Sequence, residues 1–211
     1  TAYGKGATEA VDQAADEISR LDQLLSTGNE DSEIYKINQS GDGILSEETA
    51  YLVERSLDLY EATDGAFDIA IYPVMKACGF TDDNFRVPDA DELKDLLTLT
   101  DASDISYDKE TSQIAFKKDG MQIDFGGIAK GYTSARIMDI FRACGIKSGL
   151  VNLGGNVQAL GTKKDGSSWR VAVQDPQDTD QYLGVLSIQD KAVITSGGYE
   201  RYFEQDGRTY H

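Results

Sequence analysis

The chain has 211 residues, 40% of them hydrophobic, and a formal net charge of −17. This hydrophobic fraction supports a packed core, and we predict that residues 1–211 form a single domain. The acidity excludes the basic surface that binds nucleic acid or anionic membranes, so we predict neither as a direct partner. The only histidine is His211, which excludes a Ser-His-Asp triad and a histidine-rich metal site.

The first part of the chain has the pattern of helices. Residues 1–3 look like the end of a strand, and apolar residues then recur every three or four positions from Ala7 to Leu25, which predicts an amphipathic helix. A short helix is predicted over residues 32–38. Ser46 is predicted to cap a further helix that ends before Asp64–Gly65.

An apolar stretch follows at residues 62–80, and it contains carboxylates without a clean helical or strand period. A buried carboxylate is costly unless it is paired, hydrogen-bonded or bound to a ligand. Asp68 is therefore a candidate site residue, and a helix cap is the alternative interpretation. Cys78 and Cys144 show no metal-binding spacing, and we predict two buried free thiols.

The later part of the chain has the pattern of antiparallel strands. A short helix is predicted after Asp89, which pairs with Glu92 as a reciprocal cap. Three Asp-Gly pairs, at 119–120, 165–166 and 206–207, predict hairpin turns. The strands that they would join are 113–118 with 121–125, 157–163 with 169–173, and 199–203 with 208 onward. Helices early and antiparallel strands late predict an α+β fold.

A strand-like alternation over residues 121–125 passes through Gly126–Gly127 into a helical pattern. Two glycines before a helix start let backbone N–H groups approach a phosphate closely. Asp124 could hold a cation, and Lys130 could neutralise a phosphate. Tight packing at the two glycines is the alternative interpretation, because neither a Walker A loop nor a dinucleotide-binding G-x-G-x-x-G pattern is present.

Two more glycine segments, NLGGN at 152–156 and TSGGYER at 195–201, follow apolar runs. Each segment alone also fits a bulge or a bend. If the three glycine segments converge, they form a pocket of backbone donors suited to a long phosphate-bearing cofactor. Asp124 and other carboxylates could then bind a divalent cation there.

Five motifs now stand in a fixed order: LSTGNEDSEIYKIN at 25–38, TDGAFDIAIYPV at 63–74, DFGGIAKGY at 124–132, NLGGN at 152–156 and TSGGYERYF at 195–203. In these motifs and their order the chain resembles the FAD:protein FMN transferases of the ApbE type. The resemblance covers nearly the whole chain. It implies a single α+β domain related to T-fold proteins, with an antiparallel sheet and packed helices.

The resemblance also implies a magnesium-dependent enzyme that cleaves FAD, releases AMP and attaches FMN through its phosphate to a threonine or serine of an acceptor flavoprotein. Such acceptors are typically subunits of bacterial redox complexes. An FAD pyrophosphatase and a non-catalytic FAD-binding protein are the alternatives. The family is generally extracytoplasmic and often lipid-anchored, so a membrane contact is expected only through an anchor that this chain does not contain.

By motif position, one set of residues would contact FAD or line the same cleft: Ala66, Phe67, Asp68, Asp124, Lys130, Thr195, Ser196 and Gly197. The backbone carbonyl of Gly127 would be one magnesium ligand, with the remaining ligands expected beyond residue 211. His211 is close to the place where the family has a histidine that could serve as general base.

Two departures from the family pattern stand out. Gly28 occupies a position where the family usually places an aromatic residue that covers the flavin, and Tyr35 and Tyr72 are candidates to replace it. The opening M-G-T-like strand and the C-terminal D-P-x-T-G segment are absent, so we expect the chain to be truncated at both ends.

Overall fold

The structure is a computed structural model that describes residues 1–178, 180–197 and 202–211. The chain divides into two compact units. The first, here the discontinuous unit, consists of Thr1–Leu21 and Lys130–His211, and the second, here the central unit, consists of Asp22–Ala129. The organisation of residues 1–211 as a single domain stays a prediction.

The described residues contain both helices and antiparallel strands, which confirms the α+β class. The α-helices are α1 Ala7–Leu25, α2 Glu33–Ser40, α3 Glu47–Ala62, α4 Tyr72–Ala77, α5 Ala90–Leu97 and α6 Ala129–Ala143, with 3-10 helices at Ile69–Ile71 and Ala102–Asp104. The strands are β1 Ala2–Tyr3, β2 Asp42–Ile44, β3 Ile105–Asp108, β4 Gln113–Phe116, β5 Ser148–Leu153, β6 Asn156–Gly161, β7 Trp169–Gln174, β8 Tyr182–Ile188, β9 Ala192–Ile194, β10 Phe203–Gln205 and β11 Arg208–Tyr210.

Local signals placed the early helices correctly. The Oγ of Ser32 caps α2 by accepting a hydrogen bond from the Tyr35 N–H, and Gly41 ends that helix with φ +80°. Helix α3 begins after Ser46 as predicted, although the Ser46 side chain makes no cap bond and its backbone N–H donates instead to Glu33 Oε1 at 2.8 Å. The Asp89 carboxylate caps α5 by accepting hydrogen bonds from the backbone N–H groups of Asp91 and Glu92.

The central unit contains the antiparallel sheet β2-β4-β3. Strand β4 pairs with both neighbours at Ile114, which is opposite Gly43 on β2 and opposite Tyr107 on β3. The predicted hairpin of residues 113–118 with 121–125 is therefore wrong, because both edges of β4 are already occupied. Alternation specifies which face of a segment is buried and leaves its partner strand open.

Residues 121–125 lie outside the strands, and their backbone is bonded to other groups. The Asn38 side chain donates to the Ile123 carbonyl at 2.9 Å and accepts from the Ile123 N–H at 2.8 Å. The N–H of Asp124 donates to the Ile69 carbonyl at 2.9 Å. The predicted alternation of burial is still present, since Met121, Ile123 and Phe125 are buried.

In the discontinuous unit, β1, β5, β6 and β9 form an antiparallel sheet. On one face, helical and strand residues form a buried cluster: Ala10, Ala14, Ile137, Met138, Phe141, Ile146, Val151 and Leu160. On the other face, Ala159 packs with Trp169, Val171 and Ile188 of the β7-β8 sheet. Neighbouring residues of a strand point to opposite faces, so Ala159 and Leu160 serve different clusters.

The two later hairpin predictions had different outcomes. At Asp165–Gly166 a turn forms, with the Gly166 N–H donating to the Lys163 carbonyl at 2.9 Å, but β6 pairs with β5 and β9 while β7 pairs with β8. The predicted pairing is wrong because β5 and β9 occupy both edges of β6. Strand β6 ends at Gly161, where φ is +57° and a Cβ would lie 2.1 Å from the Lys147 carbonyl oxygen. The Asp206–Gly207 hairpin is confirmed for β10 with β11, and residues 199–201 lie outside the described part of the chain.

Two further features are the state of the cysteines and the length and polarity of the helices. Cys78 and Cys144 are both free, as predicted, but both are half-buried rather than buried. Within residues 1–178, 180–197 and 202–211, every helix is too short or too polar to cross a lipid bilayer.

Candidate functional site

The TDGAFD motif forms a tight loop at the end of α3 in the central unit. The N–H of Gly65 donates to the Tyr60 carbonyl at 2.9 Å, and the N–H of Phe67 donates to Thr63 Oγ1 at 3.0 Å. Asp64 and Gly65 both have positive φ, at 53° and 78°. The loop leaves Ala66 exposed and Phe67 half-buried.

Asp68 follows this loop and caps the 3-10 helix Ile69–Ile71. Its Oδ1 accepts from the Ala70 N–H at 2.7 Å, and its Oδ2 accepts from the Ala102 N–H at 3.0 Å. Burial raises the pKa of the Asp68 carboxyl, and the two hydrogen bonds partly oppose that rise. The structure thus shows the cap interpretation of Asp68, and its contact with FAD stays a prediction.

The DFGG turn is built around the Asp124 carboxylate. Asp124 Oδ1 accepts from the Gly126 N–H at 2.7 Å, and a Cβ at Gly126 would come within 2.6 Å of that oxygen. The Phe125 carbonyl accepts from the N–H groups of Ile128 and Ala129, at 2.9 and 2.7 Å, and so starts α6. A side chain at position 126 would displace the Asp124 carboxylate from this turn.

At Gly127, the second glycine of the turn, the DFGG turn packs against the TDGAFD motif. A Cβ at Gly127 would lie 2.9 Å from Cε2 of Phe67, so the Phe67 ring occupies the space of a side chain. Neither Gly126 nor Gly127 has a positive φ. Glycine is therefore needed at these positions because a side chain would not fit, and not because of the backbone conformation. The TDGAFD and DFGG motifs are in direct contact within the central unit.

Lys130 lies in the discontinuous unit, exposed in the first turn of α6. Its Nζ is 3.4 Å from the position of a Cβ at Gly154, within the NLGGN motif. Gly154 and Gly155 have φ values of +55° and +83°, and Asn152 Oδ1 accepts from the Gly155 N–H at 3.0 Å. The ammonium group of Lys130 therefore reaches the NLGGN turn.

Thr195 is brought to the same turn by the pairing of β6 with β9. Asn156 is opposite Ile194 in that pairing, and Thr195 Oγ1 lies 3.5 Å from the position of a Cβ at Gly155. Lys130, the NLGGN turn and Thr195 thus meet within one unit. Ser196 and Gly197 are exposed beside Thr195, and residues 198–201 of the motif lie outside the described residues.

Residues 1–211 match the sequence model of the ApbE family. The chain belongs to the ApbE family. It is 34% identical to a FAD:protein FMN transferase of Treponema pallidum, covering 99% of this chain and 64% of that protein. It is 33% identical to a FAD:protein FMN transferase of Klebsiella pneumoniae, covering 92% of this chain and 61% of that protein. The chain spans less than two thirds of the length of these curated relatives.

Solved ApbE structures have the same fold as this ApbE-family chain. The ApbE protein of Thermotoga maritima superposes with a TM-score of 0.94 at 31% identity, covering 100% of this chain and 69% of that one. The flavinyl transferase ApbE of Pseudomonas stutzeri, in its apo form, superposes with a TM-score of 0.85 at 30% identity, covering 100% of this chain and 66% of that one.

Three further candidates in this ApbE-family chain are the tyrosines predicted to cover the flavin and the histidine predicted to act as general base. Tyr72 is buried with its hydroxyl donating to the Thr27 carbonyl at 3.4 Å, so it supports the loop that contains exposed Gly28. Tyr35 is half-buried and is the more accessible of the two predicted aromatics. His211 is exposed at the end of β11, and its role as general base stays a prediction.

The described part of this ApbE-family chain does not by itself fit a metal site. Within residues 1–178, 180–197 and 202–211, no group of three or more His, Cys, Asp or Glu side chains is arranged to hold a metal ion. Among these residues, therefore, no such group of side chains is present that could bind a metal ion together with the Gly127 carbonyl. Its role as a magnesium ligand stays a prediction.

One polar residue of the ApbE motifs was not recognised from the sequence. Asn156 is 4% exposed, and its Oδ1 has no hydrogen-bond partner among the described residues. It lies opposite Leu153, on the sheet face that packs against α6. The sequence signal that could have indicated it is its place as the last residue of the NLGGN motif, directly before the strand-like run that begins at Val157.

Proposed function

We propose that this chain is the flavin-binding part of a FAD:protein FMN transferase. The enzyme would cleave the pyrophosphate of FAD, release AMP and attach FMN to a threonine or serine hydroxyl of an acceptor flavoprotein. The observation that carries the proposal is the convergence of family motifs within each unit. Phe67 contacts the DFGG turn in the central unit, and Lys130 and Thr195 meet at the NLGGN turn in the discontinuous unit.

The central unit offers surfaces suited to a ring system and to a polar edge. Ala66 is exposed and Phe67 half-buried, and both present apolar atoms against which a planar ring can pack. Gly126 and Gly127 are exposed and have no side chains, so a ligand can approach their backbone closely. We assign flavin contacts to Ala66, Phe67 and Asp68 on this basis and on the resemblance.

The discontinuous unit offers groups suited to a phosphate. The Lys130 ammonium and the Thr195 hydroxyl both lie at the NLGGN turn. An ammonium group and a hydroxyl are common partners of phosphate oxygens, and neutralising their charge is the main task in phosphoryl transfer. We assign phosphate contacts to Lys130 and Thr195, with Ser196 and Gly197 beside them.

The transfer step balances as a displacement at phosphorus. The acceptor hydroxyl oxygen forms a bond to the FMN phosphorus, the bond from that phosphorus to the oxygen of AMP breaks, and the hydroxyl proton passes to a base. Histidine is the side chain that most often takes such a proton, and we assign this task to His211. Magnesium dependence is also part of the proposal, but no step is derived through the ion.

The proposal includes a location outside the bacterial cytoplasm, with a lipid anchor as the only contact with a membrane. The family resemblance supports this location. Fractionation of cells that express the natural gene, followed by detection of the protein in cytoplasmic and membrane fractions, tests it.

The activity is tested by incubating full-length protein with FAD, Mg²⁺ and an acceptor flavoprotein, then measuring acceptor mass and free AMP. We expect a mass gain of one FMN that equals AMP release, and no gain in an acceptor whose target threonine is replaced by valine. AMP release without acceptor modification would indicate the FAD pyrophosphatase. FAD binding without AMP release would indicate the non-catalytic binding protein.

A further inference from the structure

Tyr60 packs against the loop that contains Ala66, Phe67 and Asp68. Atoms Cε2, Cζ and Oη of Tyr60 lie 3.5 to 3.8 Å from the position of a Cβ at Gly65. The carbonyl of the same residue accepts from the Gly65 N–H at 2.9 Å. Tyr60 therefore holds the centre of the loop by both its ring and its backbone.

The Tyr60 hydroxyl connects this loop to a second segment of the central unit. It donates to Asp101 Oδ1 at 2.8 Å, over a sequence separation of 41 residues. Asp101 Oδ1 also accepts from the Ser103 N–H at 3.0 Å, which starts the 3-10 helix Ala102–Asp104. Hydrogen bonds from Ser103 and Tyr60 lower the pKa of the Asp101 carboxyl, so it is ionised at neutral pH.

Ala102, the residue after Asp101, links this segment back to the loop. The Ala102 N–H donates to Asp68 Oδ2 at 3.0 Å, and Ala102 is 1% exposed. The path therefore runs from Gly65 to Tyr60, to Asp101, to Ala102 and back to Asp68. Both ends of the Ala66–Phe67 segment are fixed by it.

We propose that Tyr60 and Asp101 are positioning residues that hold the Ala66-Phe67-Asp68 segment in the conformation that binds FAD. This inference rests on the proposed function. Neither residue touches the ligand in this role, and each acts through the loop. A loop that is already ordered binds its ligand more tightly, because less conformational entropy is lost on binding.

The test compares two tyrosines that make the same kind of hydrogen bond in the same unit. Tyr60 donates to Asp101, whereas Tyr107 on β3 donates to Glu54 Oε1 on α3 at 3.1 Å, and neither Tyr107 nor Glu54 belongs to the loop. Tyr60→Phe and Tyr107→Phe each remove one hydroxyl and keep the ring. We expect similar losses of stability in urea unfolding, but a rise in the Kd for FAD of roughly three- to ten-fold only for Tyr60→Phe.

Asp101 supplies a rescue experiment that a general loss of stability would not reproduce. Asp101→Asn retains an oxygen that accepts from both Tyr60 and Ser103, whereas Asp101→Ala does not. We expect Asp101→Asn to bind FAD within about two-fold of wild type and Asp101→Ala to bind roughly ten-fold more weakly.

Equal FAD affinity of the two tyrosine variants, or of the two Asp101 variants, would overturn the positioning role. The proposed function would still stand if the wild-type protein binds FAD and transfers FMN to the acceptor with matching AMP release. A wild-type protein that binds no FAD in the same fluorescence titration would overturn both. The outcomes therefore separate a failure of this inference from a failure of the activity.

Discussion

The ring of Phe67 lies in the space that a side chain at Gly127 would need, with Cε2 at 2.9 Å from the position of that Cβ. The two residues belong to different motifs, and their contact defines one wall of the candidate site. A contact this close leaves no room for a methyl group unless the ring moves.

Gly127→Ala should therefore displace Phe67 and weaken FAD binding. We expect a destabilisation of about 1–3 kcal/mol from overpacking, measured by urea unfolding, and a higher Kd for FAD by fluorescence titration. Gly184→Ala is the matched control, because a Cβ at Gly184 meets nothing within 4 Å and its φ is not positive. Unchanged stability and affinity in Gly127→Ala would show that the loop yields freely.

Lys130→Ala should weaken FAD more than riboflavin, because the ammonium group at the NLGGN turn is assigned to phosphate. Loss of a charged hydrogen bond predicts a rise of roughly ten-fold in the Kd for FAD and less than about two-fold for riboflavin, which has no phosphate. Fluorescence titration measures both. Lys147→Ala, another exposed lysine of the discontinuous unit, serves as control. Equal losses for the two ligands would remove Lys130 from the phosphate site.

Asn38→Ala should destabilise the central unit strongly. Asn38 is 7% exposed and its side chain makes hydrogen bonds to both the N–H and the carbonyl of buried Ile123. Removing it leaves two buried backbone groups without partners, which costs about 2–4 kcal/mol in the free energy of unfolding. Gln39→Ala at the exposed neighbouring position should change that free energy little. A loss below about 1 kcal/mol for Asn38→Ala would mean that other groups or water replace the amide.

Glu17→Gln should lower stability at neutral pH and have no effect in acid. Glu17 Oε2 accepts from Arg20 at 2.8 Å and Oε1 from Arg136 at 3.1 Å, and the bond from Arg20 is the main cause of its lowered pKa. A carboxyl whose pKa is lowered by folding contributes stability above its unfolded pKa and loses it as pH falls through the folded pKa. We therefore expect a difference of roughly 1 kcal/mol between wild type and Glu17→Gln at pH 7, which disappears below the folded pKa.

The control for this pH effect is Asp139→Asn. Asp139 pairs with Arg142 at 2.8 Å, but the two side chains are 65% and 54% exposed, so solvent screens their attraction. The free energy of unfolding of Asp139→Asn should differ little from that of the wild type, both at pH 7 and in acid. A Glu17→Gln difference that persists unchanged in acid would exclude ionisation as its origin.

The sequence by itself determined the elements whose causes are local. The bounds of α1, the Asp89 cap of α5 and the Asp206–Gly207 turn all follow from interactions within a few residues. Motif order was also sufficient to place the chain in the ApbE family. The burial of Met121, Ile123 and Phe125 was predicted as well, because alternation is a property of the segment alone.

The tertiary structure decided which segments meet. No local signal specifies that the Asn38 side chain, rather than β4, binds the backbone of Ile123, since the two residues are 85 positions apart. In the same way, only the folded chain shows that the Ala102 N–H holds Asp68, and that Phe67 is the reason for a glycine at position 127. Such contacts depend on the packing of distant segments, and packing is a property of the whole fold rather than of any one stretch.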